Sequence, residues 1–133
     1  MIKHKEVRKS VLSYLFEHGW FIQSIETSMT GEGVPDSVVC KDGKVIWIEY
    51  KVVDCSWPDV KRPIFEQAQL PWMIDYQKHG GKSVIVTRIR QGYVITVPSQ
   101  HDIHTGRYCT ELRSVLYLST LAGPVFSDWL HLI

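Results

Sequence analysis

The chain reads as an α/β protein with a mixed β-sheet of about five strands flanked by helices. Three observations predict this. An amphipathic helical period opens the sequence, short β-branched and aromatic runs recur through its middle, and a strand, helix, strand order lies at its centre. From about His4 to His18, Val7, Val11, Leu12, Leu15 and Phe16 keep the helical spacing, and Gly19 supplies the stop. Trp20 to about Thr27 reads as a first strand, and Ser28 to Gly33 as a loop. Ser37-Val38-Val39-Cys40 and Val45 to Val53 read as two strands joined by the Lys41-Asp42-Gly43-Lys44 turn. Asp54 to Pro63 is a connection. Ile64 to His79 is expected to be helical and to end at Gly80-Gly81, with Pro71 requiring either a start near Leu70 or a bend. Ser83 to Thr87 and Tyr93 to Val97 complete the strands. The strand, helix, strand order around residues 45–87 calls for a right-handed crossover and parallel strands, flanked by an antiparallel hairpin.

With 133 residues, a single domain spanning 1–133 is expected, with residues 98–133 as a C-terminal extension. Within that extension, about Thr110 to Leu121 reads as a helix ended by Gly123-Pro124. The tail Val125 to Ile133 is strongly apolar and is expected to pack on its own core or to cover a partner subunit.

Hydrophobic content of 44% and charged content of 22% suit a folded domain rather than a disordered chain. No apolar run is long enough to cross a bilayer, and Met1 to Glu6 has no signal-peptide core, so a cytoplasmic protein without membrane contact is expected. Cys40, Cys55 and Cys109 are odd in number and widely spaced, as reduced thiols are. His101, His104 and Cys109 lack a fourth zinc ligand and read as part of a polar loop. The net charge of +1 excludes a polycation, so any affinity for nucleic acid must come from local patches. Lys3, Lys5, Arg8 and Lys9 form one such patch; Lys61 with Arg62 and Arg88 with Arg90 are others.

The densest chemical signal is Glu49-Tyr50-Lys51 at the end of the apolar run Val45 to Ile48, preceded by Gly33-Val34-Pro35-Asp36. Alternation along a strand puts Glu49 and Lys51 on one face, and the hairpin folds Asp36 back beside them. Two carboxylates and one ammonium then converge. Such a set binds a hard divalent cation with a cationic group next to it, which suits phosphodiester hydrolysis. Lys51 would offset negative charge growing on the phosphorane. The alternative is an exposed ion pair on a half-solvated strand, with Asp36 a turn residue. Against it, Val45 and Trp47 share the face of Glu49 and Lys51, so that face is expected to be buried near its start.

Pro35-Asp36 followed by Glu49-Tyr50-Lys51 resembles the motif of the PD-(D/E)XK nuclease superfamily, whose core is restriction-endonuclease-like. Glu6 ahead of Gly19-Trp20, and Gln69 with Trp72 and Gly80, are similar to features of its virus-type replication-repair nuclease (VRR-NUC) branch and of the related Holliday-junction resolvases. The resemblance spans roughly residues 4 to 88. It implies metal ligation by Asp36, Glu49, the Tyr50 carbonyl and Glu6, with Lys51 catalytic. Gln69 would contact the lysine, a metal-associated water or the phosphate. For Glu6 the alternative is a first-turn carboxylate favoured by the helix dipole, with Glu17 and Glu26 as rivals; Gln67 is the rival of Gln69. Ser37 departs from the pattern, standing where an apolar strand residue is usual.

The implied activity is that of a Mg²⁺-dependent DNA endonuclease of a virus, phage or mobile element, with Mn²⁺ as a substitute. Branched, flap or junction DNA is the expected substrate, since the chain has no recognisable base-reading module. Lys5, Arg8, Lys9, Lys61 and Arg62 would contact its backbone. A homodimer would match a two-fold junction, with the apolar tail as its interface. The alternatives are a non-catalytic DNA-binding or structural protein keeping the fold, and a sequence-specific restriction-type enzyme with a base-reading element in residues 98–133.

Overall fold

A computed structural model describes residues 2–25, 33–60, 63–65, 67–98 and 115–133. Along the chain run α1 (His4–Glu17), β1 (Phe21–Ser24), β2 (Ser37–Lys41), β3 (Lys44–Val52), α2 (Gln69–Lys78), β4 (Lys82–Ile89), β5 (Gly92–Thr96), β6 (Val115–Leu118) and α3 (Val125–Leu132). Among the described residues, six strands form one sheet in the order in which they occur in the chain. Only β3 and β4 are parallel, and α2 makes the connection between them; every other neighbouring pair is antiparallel.

The local chemistry explains most boundaries. Asp42 and Gly43 both have positive φ (50° and 79°), so the β2–β3 connection is a two-residue hairpin turn whose twist suits the flanking strands. That turn sets the register Lys41↔Lys44 through Ser37↔Ile48. In α2, Pro71 occupies the third helical position, inside the first turn, where its missing N–H breaks no intrahelical bond. The helix therefore begins at Gln69 rather than at Ile64, and Pro71 needs no bend.

Two faces of the sheet bury different things. Ile46, Ile48 and Tyr50 of β3 and Val84 and Val86 of β4 point toward α1 and α3, forming the main core with Val7, Val11, Leu15, Trp20, Phe126 and Leu130. On the opposite face, Leu70 and Met73 of α2 pack on Ile85. Trp72 stacks on Tyr76 (5.2 Å between ring centroids) and meets Trp47 edge-on at 5.5 Å. The expectation for Val45 and Trp47 needs correcting here. Val45 is 41% exposed, because α2 covers β3 and β4 but not the outer end of the hairpin; the side chains that reach the main core are Ile46 and Ile48 on the other face.

The region after residue 98 also departs from expectation. Val115–Leu118, expected within a helix, is a sixth strand paired with β5. Four apolar residues do not distinguish the two periods, and the open edge of β5 decides in favour of pairing. The expected residues 110–114 of that helix, and the His101, His104 and Cys109 loop, lie outside the described residues. Cys40 and Cys55 are free thiols.

The apolar tail is α3, and it belongs to the chain's own core. Phe126 stacks on Tyr14 at 5.6 Å, the Trp20 indole donates to the Ser127 hydroxyl (2.9 Å), and the Tyr14 hydroxyl donates to the Gly123 carbonyl (2.6 Å). Lys44 donates to the carbonyls of His131 and Ile133 (2.6 Å each), satisfying the negative end of the helix dipole. Phe126, Trp129 and Leu130 are thus used internally, while Val125 and Leu132 stay exposed. Among the described residues no helix is long and apolar enough to cross a membrane.

Leu130→Ala should lower unfolding free energy by about 2–5 kcal/mol, the range for truncating a buried leucine. Urea unfolding at two protein concentrations measures it. A loss below about 1 kcal/mol, or one that appears only at the lower concentration, would return α3 to an interface role.

Candidate active site

Pairing of β2 with β3 ends at Ser37 opposite Ile48, whereas β3 continues to Val52 beside β4. Beyond that point the Tyr50 N–H and C=O face the side that β2 has left. Asp36, the residue just before β2, takes the N–H through its Oδ2 at 3.3 Å. His4, the first residue of α1, approaches the C=O with Nε2 at 2.7 Å, and the same nitrogen lies 3.0 Å from Asp36 Oδ2. Both neighbours are acceptors, so a proton on Nε2 holds the group together.

Glu49 sits on the α2 face, 2% exposed, in the row of Ile85. One ligand atom each from His4, Asp36 and Glu49 lie within 4.8 Å of one another. An imidazole nitrogen, two carboxylates and an adjacent backbone carbonyl are a donor set that fits a divalent cation. Such a cation would replace the proton on His4, because the ligating imidazole must be unprotonated at Nε2.

Lys51 and Gln69 complete the arrangement. Lys51 Nζ donates to Gln69 Oε1 at 2.8 Å and lies 3.8 Å from Glu49 Oε2. The Gln69 amide donates in turn to Glu49 Oε2 at 3.1 Å. The Phe65 ring covers the ammonium at 4.9 Å. Gln69 reaches both groups because it opens α2, and α2 starts where it does partly because of Gly33. With φ of +83°, Gly33 passes directly over Ala68; a Cβ there would collide with the Ala68 carbonyl oxygen. The glycine of Gly33-Val34-Pro35-Asp36 therefore ties the approach to β2 to the residue before Gln69.

Tyr50 is anchored on the core side. Its hydroxyl shares a hydrogen bond of 2.6 Å with Ser37, both residues being buried. Burial raises the phenol well above its usual range, with the Ser37 hydrogen bond and the Arg8 charge opposing only in part. This accounts for Ser37 where an apolar residue was expected: it is the partner that a buried tyrosine needs.

No protein-family model and no curated protein sequence matches this chain. Among solved structures it is similar to Hjc, a Holliday junction resolvase from the archaeal hyperthermophile Archaeoglobus fulgidus. The TM-score is 0.53 at 12% identity, over 70% of this chain and 75% of that one. The chain shares the fold of that protein. It is the restriction-endonuclease-like α/β fold that the motif resemblance implied, with six strands instead of about five.

On this resolvase fold Asp36, Glu49, Tyr50, Lys51 and Gln69 stand side by side. Glu6 does not join them. It is exposed and accepts from the Lys3 N–H at 3.2 Å, closing the first turn of α1. His4, two residues earlier, is the α1 side chain that comes together with Asp36 and Glu49. A signal for His4 was present in the helical phase: it lies on the stripe of Val7 and Val11, whereas Glu6 shares the outward stripe of Lys9, Ser10 and Ser13. Glu17 and Gln67 are exposed. Of the expected DNA contacts, Lys5 and Lys9 are exposed and Arg8 is half-buried on α1, while Lys61, Arg62 and the rival Glu26 lie outside the described residues.

Two outcomes test this geometry. His4→Ala should weaken Mn²⁺ binding, measured by calorimetry, at least about tenfold, the lower bound for losing even an outer-sphere partner. Glu6→Ala should leave it unchanged and cost only about 0.5 kcal/mol of stability; the reverse ranking would restore Glu6 to the site. Separately, Ser37→Ala should destabilise by about 1–3 kcal/mol by orphaning the Tyr50 hydroxyl. Adding Tyr50→Phe should recover part of that loss in denaturant unfolding, and strictly additive losses would show that the two hydroxyls are not coupled.

Proposed function

We propose that this protein is a divalent-metal-dependent endodeoxyribonuclease that hydrolyses phosphodiester bonds in branched DNA. The observation that carries the reading is the convergence of the His4, Asp36 and Glu49 donors with Lys51 held 3.8 Å from the Glu49 carboxylate. The resolvase fold supports it. His4, Asp36, Glu49 and the Tyr50 carbonyl would hold a divalent cation, which would supply Lewis-acid polarisation of the phosphate and a lowered pKa for a bound water.

The protein's own groups do the positioning. Asp36 and His4 meet at the open edge of β3, where a substrate phosphate can approach. Gln69 fixes Lys51 and Glu49 relative to each other, so the ammonium is aimed before DNA arrives and little reorganisation is left for the transition state. Lys51 then stabilises charge that develops on the phosphoryl oxygens. The His4 nitrogen makes the donor set softer than an all-oxygen one. This favours Mn²⁺ over Mg²⁺ as the cation, while Mg²⁺ remains able to serve.

Branched DNA is the proposed substrate because the described residues include no helix-turn-helix or comparable base-reading element, so phosphate contacts and DNA geometry would choose the site. Lys5, Arg8 and Lys9 follow His4 in the first turns of α1 and would bear on the backbone. A two-fold pair of subunits would match a four-way junction, each supplying one cut.

Cleavage of labelled four-way, flap, linear and single-stranded DNA with Mg²⁺ or Mn²⁺ tests the reading, with branched substrates cut fastest. Lys51→Ala should slow cutting at least about a hundredfold while Mn²⁺ affinity is kept. Ca²⁺ should support DNA binding without turnover. Binding without cleavage in any metal would make the protein a non-catalytic DNA binder, and a single preferred sequence on linear duplex would make it a restriction-type enzyme.

A further inference from the structure

A second cleft opens at the same end of the sheet. It encloses about 330 Å³ between Ile2, Val52, Asp54, Arg88 and Arg90. Its position follows from register. Val52 and Arg88 are paired one residue beyond the pair Lys51 and Thr87, and Ile2 is two residues before His4. The chain after β3 closes one wall, since the Val53 N–H donates to the Arg88 carbonyl (3.0 Å) and the Arg90 N–H to the Cys55 carbonyl (2.9 Å).

The two arginines in this cleft are in different states. Arg90 donates to Asp54 at 2.5 Å in a solvent-exposed pair, so its charge is already matched. Arg88 is half-buried, with its guanidinium 4.9 Å from the centre of the Tyr93 ring. Its Nε is buried and has no hydrogen-bond partner, and among the described residues no carboxylate pairs with it. A buried N–H without an acceptor is costly, and an aromatic ring satisfies the cation's face but not the donors in its plane. Those donors form a fork that matches the oxygens of a phosphate. Among the described residues lining it, the cleft thus carries two arginines to one carboxylate, with the Arg88 guanidinium set against Tyr93.

From this we infer that Arg88 forms a phosphate subsite for the nucleic-acid backbone, engaging a phosphodiester next to the one at the metal-ligand cluster. The inference rests on the nuclease reading for the identity of the polymer, but not for the anion chemistry. Tyr93 acts as the positioning residue, holding the guanidinium plane.

The test is fluorescence anisotropy of a labelled four-way junction across a salt series in Ca²⁺ buffer. Arg88→Gln should weaken binding about tenfold and reduce the slope of log affinity against log salt by about 1, the value for one lost phosphate contact. Mn²⁺ affinity should not change, because Arg88 is outside the ligand set. Arg88→Lys should keep the slope but lose part of the affinity, since it retains charge without the fork. Scanning single methylphosphonates through the junction gives a second readout. Wild type should lose affinity at one position beside the cut, and Arg88→Gln should lose nothing more there.

An unchanged slope in Arg88→Gln, or equal methylphosphonate losses in both proteins, overturns the subsite. So does protection of wild type by millimolar inorganic phosphate in thermal unfolding, absent in Arg88→Gln, without any DNA effect, since that marks a free-phosphate site. Failure of the nuclease reading looks different: wild type cuts nothing, yet the Arg88-dependent slope persists.

Discussion

β2 leaves β3 at Ser37 opposite Ile48, and from there the Tyr50 N–H and C=O face a vacated edge. An unsatisfied buried backbone group costs about 1–3 kcal/mol, so something must take their place. Asp36 and His4 do, and in doing so they are brought together with Glu49, the residue before Tyr50 in the same strand. The cluster is a consequence of ending one strand two residues early. The Ser37–Tyr50 hydroxyl pair on the core side keeps the tyrosine backbone fixed while its edge is open.

Placing charge in this position requires that it be balanced. Glu49 is almost completely removed from water, and an isolated buried carboxylate is strongly disfavoured. Lys51 and the Gln69 amide supply the compensation, and Gly33 packs its own backbone directly against Ala68, the residue before Gln69. Three sequence-distant segments therefore depend on one another: the approach to β2, the end of β3 and the start of α2. Breaking any one of them releases the others.

The sheet separates duties between its faces. The side covered by α1 and α3 is apolar and closely packed, which gives β3 and β4 a rigid bed. Among the described residues the other side carries α2 over Ile85, and Val53, Cys55 and Val60 over Ile89 and Val94. The continuation of β3 and β4 past the end of β2 carries Arg88 to the same end of the sheet, on the face of Tyr50 and Val86 rather than that of Glu49.

Much of this was legible in the residues. The Asp42-Gly43 turn sets the hairpin register, and the strand period then puts Glu49 and Lys51 on one face with Asp36 alongside. The strand, helix, strand order implied the parallel pair β3 and β4. These are local properties, encoded by backbone preferences and alternation. The helical phase also carried His4 on the inward stripe, but a glutamate two residues on matched the motif and drew the assignment. Tertiary packing decided the rest. Val115–Leu118 became a strand because the open edge of β5 could pair with it, and the apolar tail became a core helix because Tyr14 and Trp20 offered it both a surface and hydrogen-bond partners. Whether an apolar run pairs, coils or stays exposed depends on which unsatisfied edge or face it meets, and that information belongs to the assembled fold.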